Sequence, residues 1–187
     1  MKKIIILLFI AVSLFAQFKF QRSLPDRYTV FLLGKSYNGS NTFKDYSQYN
    51  NTITTYGDTK QLSTQYKFDN GAIYFDGSGD YLTVAGSPLF NFSNGSFTID
   101  FWVNMSVIKK DVYFSNIFNN YVYAGVVIQY ANGIIAYIGS GASNWDIAVD
   151  KKIANSPSTN TWYHIAVVRD NTNFYYLVYV QTISRCR

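Results

Sequence analysis

The segment Ser96-Phe97-Thr98-Ile99-Asp100-Phe101-Trp102-Val103 alternates without a break, with Phe97, Ile99, Phe101 and Val103 on one side and Ser96, Thr98, Asp100 and Trp102 on the other. Side chains of an extended strand point to opposite faces in turn, so this pattern predicts a strand that buries one face against a core and leaves the other available. Other extended segments follow the same grammar. Tyr28 to Leu33, Thr52 to Tyr56, Ala72 to Phe75, Tyr81 to Val84, Trp162 to Arg169 and Phe174 to Val180 are rich in β-branched and aromatic residues and are separated by turn-forming residues. Long helical patterns are not in evidence.

Turn chemistry sharpens the outline. In Asp76-Gly77-Ser78-Gly79 the glycines can adopt the positive φ that other residues resist. Asn132-Gly133, between apolar runs, predicts a two-residue hairpin of type I′, with Tyr130 opposite Ile135 and Ile128 opposite Tyr137. Asp170-Asn171-Thr172-Asn173 joins the last two strands. Many short strands with turns between them point to an all-β sandwich. The single cysteine, Cys186, forbids an internal disulfide, so stability must come from the core, and a chain that is 48% apolar and 19% aromatic can build a large one.

Three segments, Tyr74-Phe75-Asp76-Gly77-Ser78-Gly79-Asp80-Tyr81-Leu82, Ser96 to Val103 and Trp162-Tyr163-His164-Ile165-Ala166-Val167-Val168-Arg169, occur in an order and spacing that resembles the LamG-like branch of the concanavalin A-like lectin/glucanase superfamily. The resemblance covers roughly Tyr28 to Leu177. It implies a two-sheet antiparallel jelly-roll sandwich, used mostly for recognition outside the cytoplasm. Relatives usually continue with an Asn-Gly turn and two further strands, whereas here the chain reads Phe174 to Arg187, so the fold is expected to lack its last strands at the C-terminus and to leave an aromatic edge strand open to self-association.

At the other end, Lys2 and Lys3 precede an apolar run of twelve positions, Ile4 to Phe15, and Ala16-Gln17 offers a cleavage position. This is the pattern of a secretory signal peptide over residues 1–16, with 17–27 as a lead-in and one LamG-like domain over 28–187. The run is well short of the roughly 20 residues that span a bilayer, so no stable membrane span is expected; a buried strand is the competing reading. Without Lys2 and Lys3 the basic count falls from 16 to 14 against 11 acids, which takes the formal charge from +5 to +3. That scattered excess does not suit a nucleic-acid partner.

Glycoside hydrolysis by retention needs two carboxylates facing one groove about 5 Å apart. Within this superfamily they stand at alternate positions of one strand, but Asp100 stands alone in its strand and the chain contains no Glu. His164, the one histidine, lies in a segment that relatives use as a structural strand, so it is expected to be packed or hydrogen-bonded rather than a catalytic base. Catalytic residues are therefore expected to be none. No cofactor is required, although calcium is possible: relatives carry a rim site of Asp side chains and backbone carbonyls, and Asp58, Asp76 and Asp80 lie in or beside loops that could converge. The simpler role for Asp76 and Asp80 is to cap the turn between them.

Sugar recognition calls for an aromatic plate and planar polar side chains. Asp100 and Trp102 share the non-core side of one strand and could line the concave sheet, and Asn144-Trp145-Asp146 follows the flexible Gly139-Ser140-Gly141-Ala142-Ser143 and could sit on a rim loop. For both, packing of the Trp against a neighbouring sheet or loop is the structural alternative. The chain is thus expected to be a secreted, cell-surface or periplasmic recognition module for a glycan or surface protein. A structural or adhesive component of a surface or virion is the second expectation, and a glycoside hydrolase the third.

Overall fold

Residues 2–5, 27–33, 38–64, 66–67, 71–92, 95–117, 124–141 and 145–181 are described in a computed structural model of the chain. They cluster as two units, the first running from Lys2 to Ala85 and the second from Gly86 onward. The described residues are all-β apart from one short 3-10 turn, Pro88–Phe90.

In the first unit, β1 (Lys2–Ile5) pairs in parallel with β2 (Thr29–Phe31), Lys3 opposite Thr29 and Ile4 opposite Phe31. Residues 6–26, which hold the rest of the expected leader and most of the lead-in, lie outside the described residues. Next come β3 (Ile53–Tyr56), β4 (Lys60–Leu62), β5 (Ala72–Tyr74) and β6 (Tyr81–Val84). β3 pairs antiparallel with β6, from Ile53 opposite Val84 to Tyr56 opposite Tyr81, and β4 pairs antiparallel with β5, from Lys60 opposite Tyr74 to Leu62 opposite Ala72. Between these two ladders the stretch from Gly57 to Thr59 faces the longer stretch from Phe75 to Asp80. That mismatch breaks the ribbon and sets its acidic loops side by side.

One carboxylate organises the segment after β2. Asp45, almost fully buried, accepts hydrogen bonds at Oδ1 from the backbone N–H of Leu32 (2.9 Å) and of Ser47 (2.8 Å). At Oδ2 it accepts from Ser47 Oγ (2.8 Å), Asn51 N (2.8 Å) and Asn51 Nδ2 (2.7 Å). Ser47 Oγ and Asn51 Nδ2 also reach Val30 O, which ties the loop to β2. Burial alone would push the Asp45 pKa up; the donors from Leu32, Ser47 and Asn51 outweigh it and hold the group below the usual aspartate range.

The second unit contains β7 (Phe97–Asn104), β8 (Asp111–Ser115), β9 (Ala124–Tyr130), β10 (Ile134–Ser140), β11 (Ala148–Ala154), β12 (Trp162–Asp170) and β13 (Asn173–Gln181). β12 lies between β7 and β13, antiparallel to both, and β8, β9, β10 and β11 form a four-stranded antiparallel sheet in that order. Phe97, Ile99 and Phe101 of β7 are buried, as the alternation predicts, together with Ile165 and Val167 of β12. The other sheet buries Val126 and Ile128 of β9 with Ile134, Ala136 and Ile138 of β10.

The β9–β10 hairpin departs from the sequence expectation. Tyr130 faces Ile134, not Ile135, and Ile128 faces Ala136, not Tyr137. The loop has three residues, Ala131-Asn132-Gly133, closed by the bond from Ala131 N to Gly133 O (2.9 Å), with Asn132 at φ 57° and Gly133 at φ 124°. A one-residue slip turns every side chain of a strand over. Ile134, Ala136 and Ile138 therefore join Val126 and Ile128 on one face, and Ile135 and Tyr137 go to the other. Gly133 is demanded twice over, by its φ and because a Cβ there would lie 2.6 Å from Ala154 O.

Gly133→Ala should therefore destabilise the fold by roughly 2 kcal/mol or more, read as a lower urea midpoint. An unchanged midpoint would contradict the three-residue loop. Because the folded Asp45 carboxyl titrates below its unfolded value, near 4, its contribution is complete above that range and is lost as pH falls through the folded pKa. Urea midpoints measured from about pH 6 down to pH 3 should fall more steeply for the natural chain than for Asp45→Asn.

Candidate ligand-binding face

The register that buries Phe97, Ile99 and Phe101 places Thr98, Asp100 and Trp102 on the opposite side of the β7-β12-β13 sheet. Trp102 is directly opposite His164, which is opposite Tyr179, and Asp100 is opposite Ala166, which is opposite Leu177. His164 stacks on Trp102, with ring centroids 5.0 Å apart and planes 19° apart, and Tyr179 meets Trp102 edge-on at 6.2 Å. The three rings form a row across three strands, beside Ala166, the smallest side chain on this face.

Asp100 sits next to that row with its bonding capacity open. Its Oδ2 is 3.6 Å from His164 Nε2, beyond a good hydrogen bond and an ion pair only when the imidazole is protonated. Its Oδ1 is shielded from water and has no hydrogen-bond partner. An unmet acceptor of this kind costs about 1–3 kcal/mol. The side chain as a whole is 23% exposed, and a carboxyl torsion is soft, so rotation can bring either oxygen to a hydroxyl donor arriving from solvent.

The second predicted place also assembles in part. Trp145 lies against Tyr137 of β10, with centroids 5.4 Å apart and rings tilted by 49°. Asp146 accepts from Ser140 N (2.7 Å) and Ser140 Oγ (2.5 Å), bonds that hold its pKa below the usual range, so both of its oxygens are committed to shaping the turn. The Tyr137 hydroxyl donates to Asp150. Asn144 lies outside the described residues.

Asp58, Asp76 and Asp80 converge as well, each offering a carboxylate oxygen within 4.8 Å of the others. Asp80 accepts from the backbone N–H of Asp58 and of Asp76, both at 2.8 Å, while Asp76 accepts from Ser78 N at 2.6 Å. Turn-capping is therefore their observed role. Asp58 bonds Lys60 Nζ at 3.1 Å, and this contact lowers the Asp58 pKa. The donor set suits a hard cation, since each carboxylate oxygen retains a lone pair, but Lys60 competes for Asp58. Gly57 lets the loops approach: a Cβ there would be 2.1 Å from Asp80 Oδ1.

Several neighbours were not singled out from the sequence. The sequence predicts a packed or hydrogen-bonded His164 but not its place in an aromatic row, and it marks Tyr179 and Tyr137 only as strand residues. Tyr56 and Tyr81, stacked at 4.3 Å and 9°, flank the acidic loops. His164 opposite Tyr179 and Tyr56 opposite Tyr81 follow from strand register, and counting back from the turn Asp170–Asn173 would have found the first of them.

Among the described residues no helix is long and apolar enough to cross a membrane. A laminin G family model, described as the concanavalin A-like lectin/glucanases superfamily, matches residues 76–185, more than half of the chain. Neither a curated protein nor a solved structure matches. Domains of this family are in general carbohydrate- or protein-binding modules. With its antiparallel sheets and the buried alternation of β7 inside the matched span, the chain belongs to the concanavalin A-like lectin/glucanase superfamily as a LamG-like domain.

Proposed function

We propose that the chain is a non-catalytic recognition module, acting outside the cytoplasm, that takes carbohydrate on the outer face of β7, β12 and β13. The observation that carries this is Asp100 Oδ1, an acceptor without a donor, placed beside the Trp102-His164-Tyr179 row. A pyranose offers complementary chemistry: C–H groups that pack on aromatic rings and hydroxyls that donate to a carboxylate. Support for a non-catalytic role comes from β7 itself, where Asp100 has Thr98 and Trp102 at the alternate positions and no second carboxylate to share the work of acid and nucleophile.

The test is a glycan array followed by calorimetry on the best ligand. Asp100→Asn, which preserves shape, should weaken binding about tenfold, or roughly 1.4 kcal/mol, and Trp102→Ala should weaken it further. Trp145→Ala should leave affinity near that of the natural chain. A blank array, or affinity indifferent to Asp100→Asn, would overturn the assignment to this face. Sugar release lost in Asp100→Asn would overturn its non-catalytic character.

Binding on this face needs no cofactor. Calcium is proposed separately at Asp58, Asp76 and Asp80, where it would brace the two loops. At about 1 mM, the range of extracellular calcium modules, calcium should raise the melting temperature, and Asp58→Asn should abolish most of the rise. An equal rise in both proteins would place the ion elsewhere.

A further inference from the structure

The exposed edges of the second unit are not alike. β11 ends the four-stranded sheet with Asp150, Lys151 and Lys152 in mid-strand, and its pairing with β10 is interrupted twice by register shifts. β8, at the other end of that sheet, has five residues, opens on Asp111 and carries a register shift between Val112 and Phe114. Charges, bulges and short length are the features that stop an edge from pairing with a stranger. β13 has none of them. Its nine residues, Asn173-Phe174-Tyr175-Tyr176-Leu177-Val178-Tyr179-Val180-Gln181, carry no charge and pair with β12 in continuous register from Asp170 opposite Asn173 to Trp162 opposite Gln181. Among the described residues β13 pairs with no strand but β12, and Tyr175, Leu177 and Tyr179 are 49–59% exposed.

From this contrast we infer that β13 is a self-association edge, pairing antiparallel with β13 of a second copy about a two-fold axis through Leu177. The strand is complementary to its own reverse. With Leu177 opposite Leu177 of the second copy, Tyr175 faces Tyr179, Tyr176 faces Val178 and Phe174 faces Val180. Aromatic residues thus meet aromatic or β-branched ones at each of those positions, and no like charges meet. A two-fold axis makes every such contact occur twice and closes the assembly at two copies. The sheets that end in β13 become continuous through the β13–β13 pair, and each copy's Trp102-His164-Tyr179 row comes to lie on the same face. This assembly does not depend on sugar binding.

Sedimentation equilibrium of the full chain should show twice the monomer mass at tens of micromolar. Leu177→Lys and Leu177→Asp, each placing like charges across the axis, should each sediment as monomers with unchanged circular dichroism. An equimolar mixture of the two should return to the dimer, because Lys then faces Asp. A monomeric natural chain would overturn the inference, as would a dimer indifferent to both substitutions or a mixture that stays monomeric. Heterogeneous aggregate in all three proteins would overturn it too, since it would show association without this axis.

Discussion

The pairing of β7 with β12 is the constraint on which the second unit depends. Ile99 opposite Val167 and Phe101 opposite Ile165 place four apolar side chains in the core across one pair of strands. A shift of β7 by one residue would carry Asp100 into that core, where an ionisable group without full hydrogen bonding is costly, and would expose Ile99 and Phe101 to water. The same register decides the outer face. Asp100, Trp102 and His164 lie together because the residues between them are buried, so core and candidate site follow from one pairing.

The polar interior separates structural groups from available ones. Asp45 is buried with five hydrogen bonds and fastens a loop to its strand. Asp146 is satisfied by Ser140, and Asp80 by two backbone N–H groups. Asp100 differs from all three in having a shielded oxygen with no donor. Asn50, Asn132, Asn160 and Asn171 have a different structural use: each adopts a positive φ between 46° and 57°, conformations that asparagine tolerates better than most residues. That accounts for part of the asparagine content.

Legibility in the sequence followed the strength of the local pattern. β7, β12 and β13 were readable because each is long and regular, and β5 and β6 because glycine turns bracket them. β4, β8 and β11 were not singled out. In β11 the run Asp150-Lys151-Lys152 breaks the period of two, which an edge strand permits because its outer side needs no partner. The β9–β10 register was misread because apolar residues occupy both faces of β10, so pattern could not choose between a two- and a three-residue loop. The site was half legible: alternation put Asp100 and Trp102 on one side of a strand, but no local signal linked them to His164 and Tyr179.

By itself the sequence determined the all-β class, the family and the inward face of β7, because these depend on side-chain alternation and turn chemistry within a few residues of chain. Tertiary structure alone decided which turn closes β9 and β10, how closely Asp58 approaches Asp76 and Asp80, and which rings stand beside Asp100. Those are contacts between segments distant along the chain, set by strand register and by the space that glycine leaves, and no short window of residues specifies them.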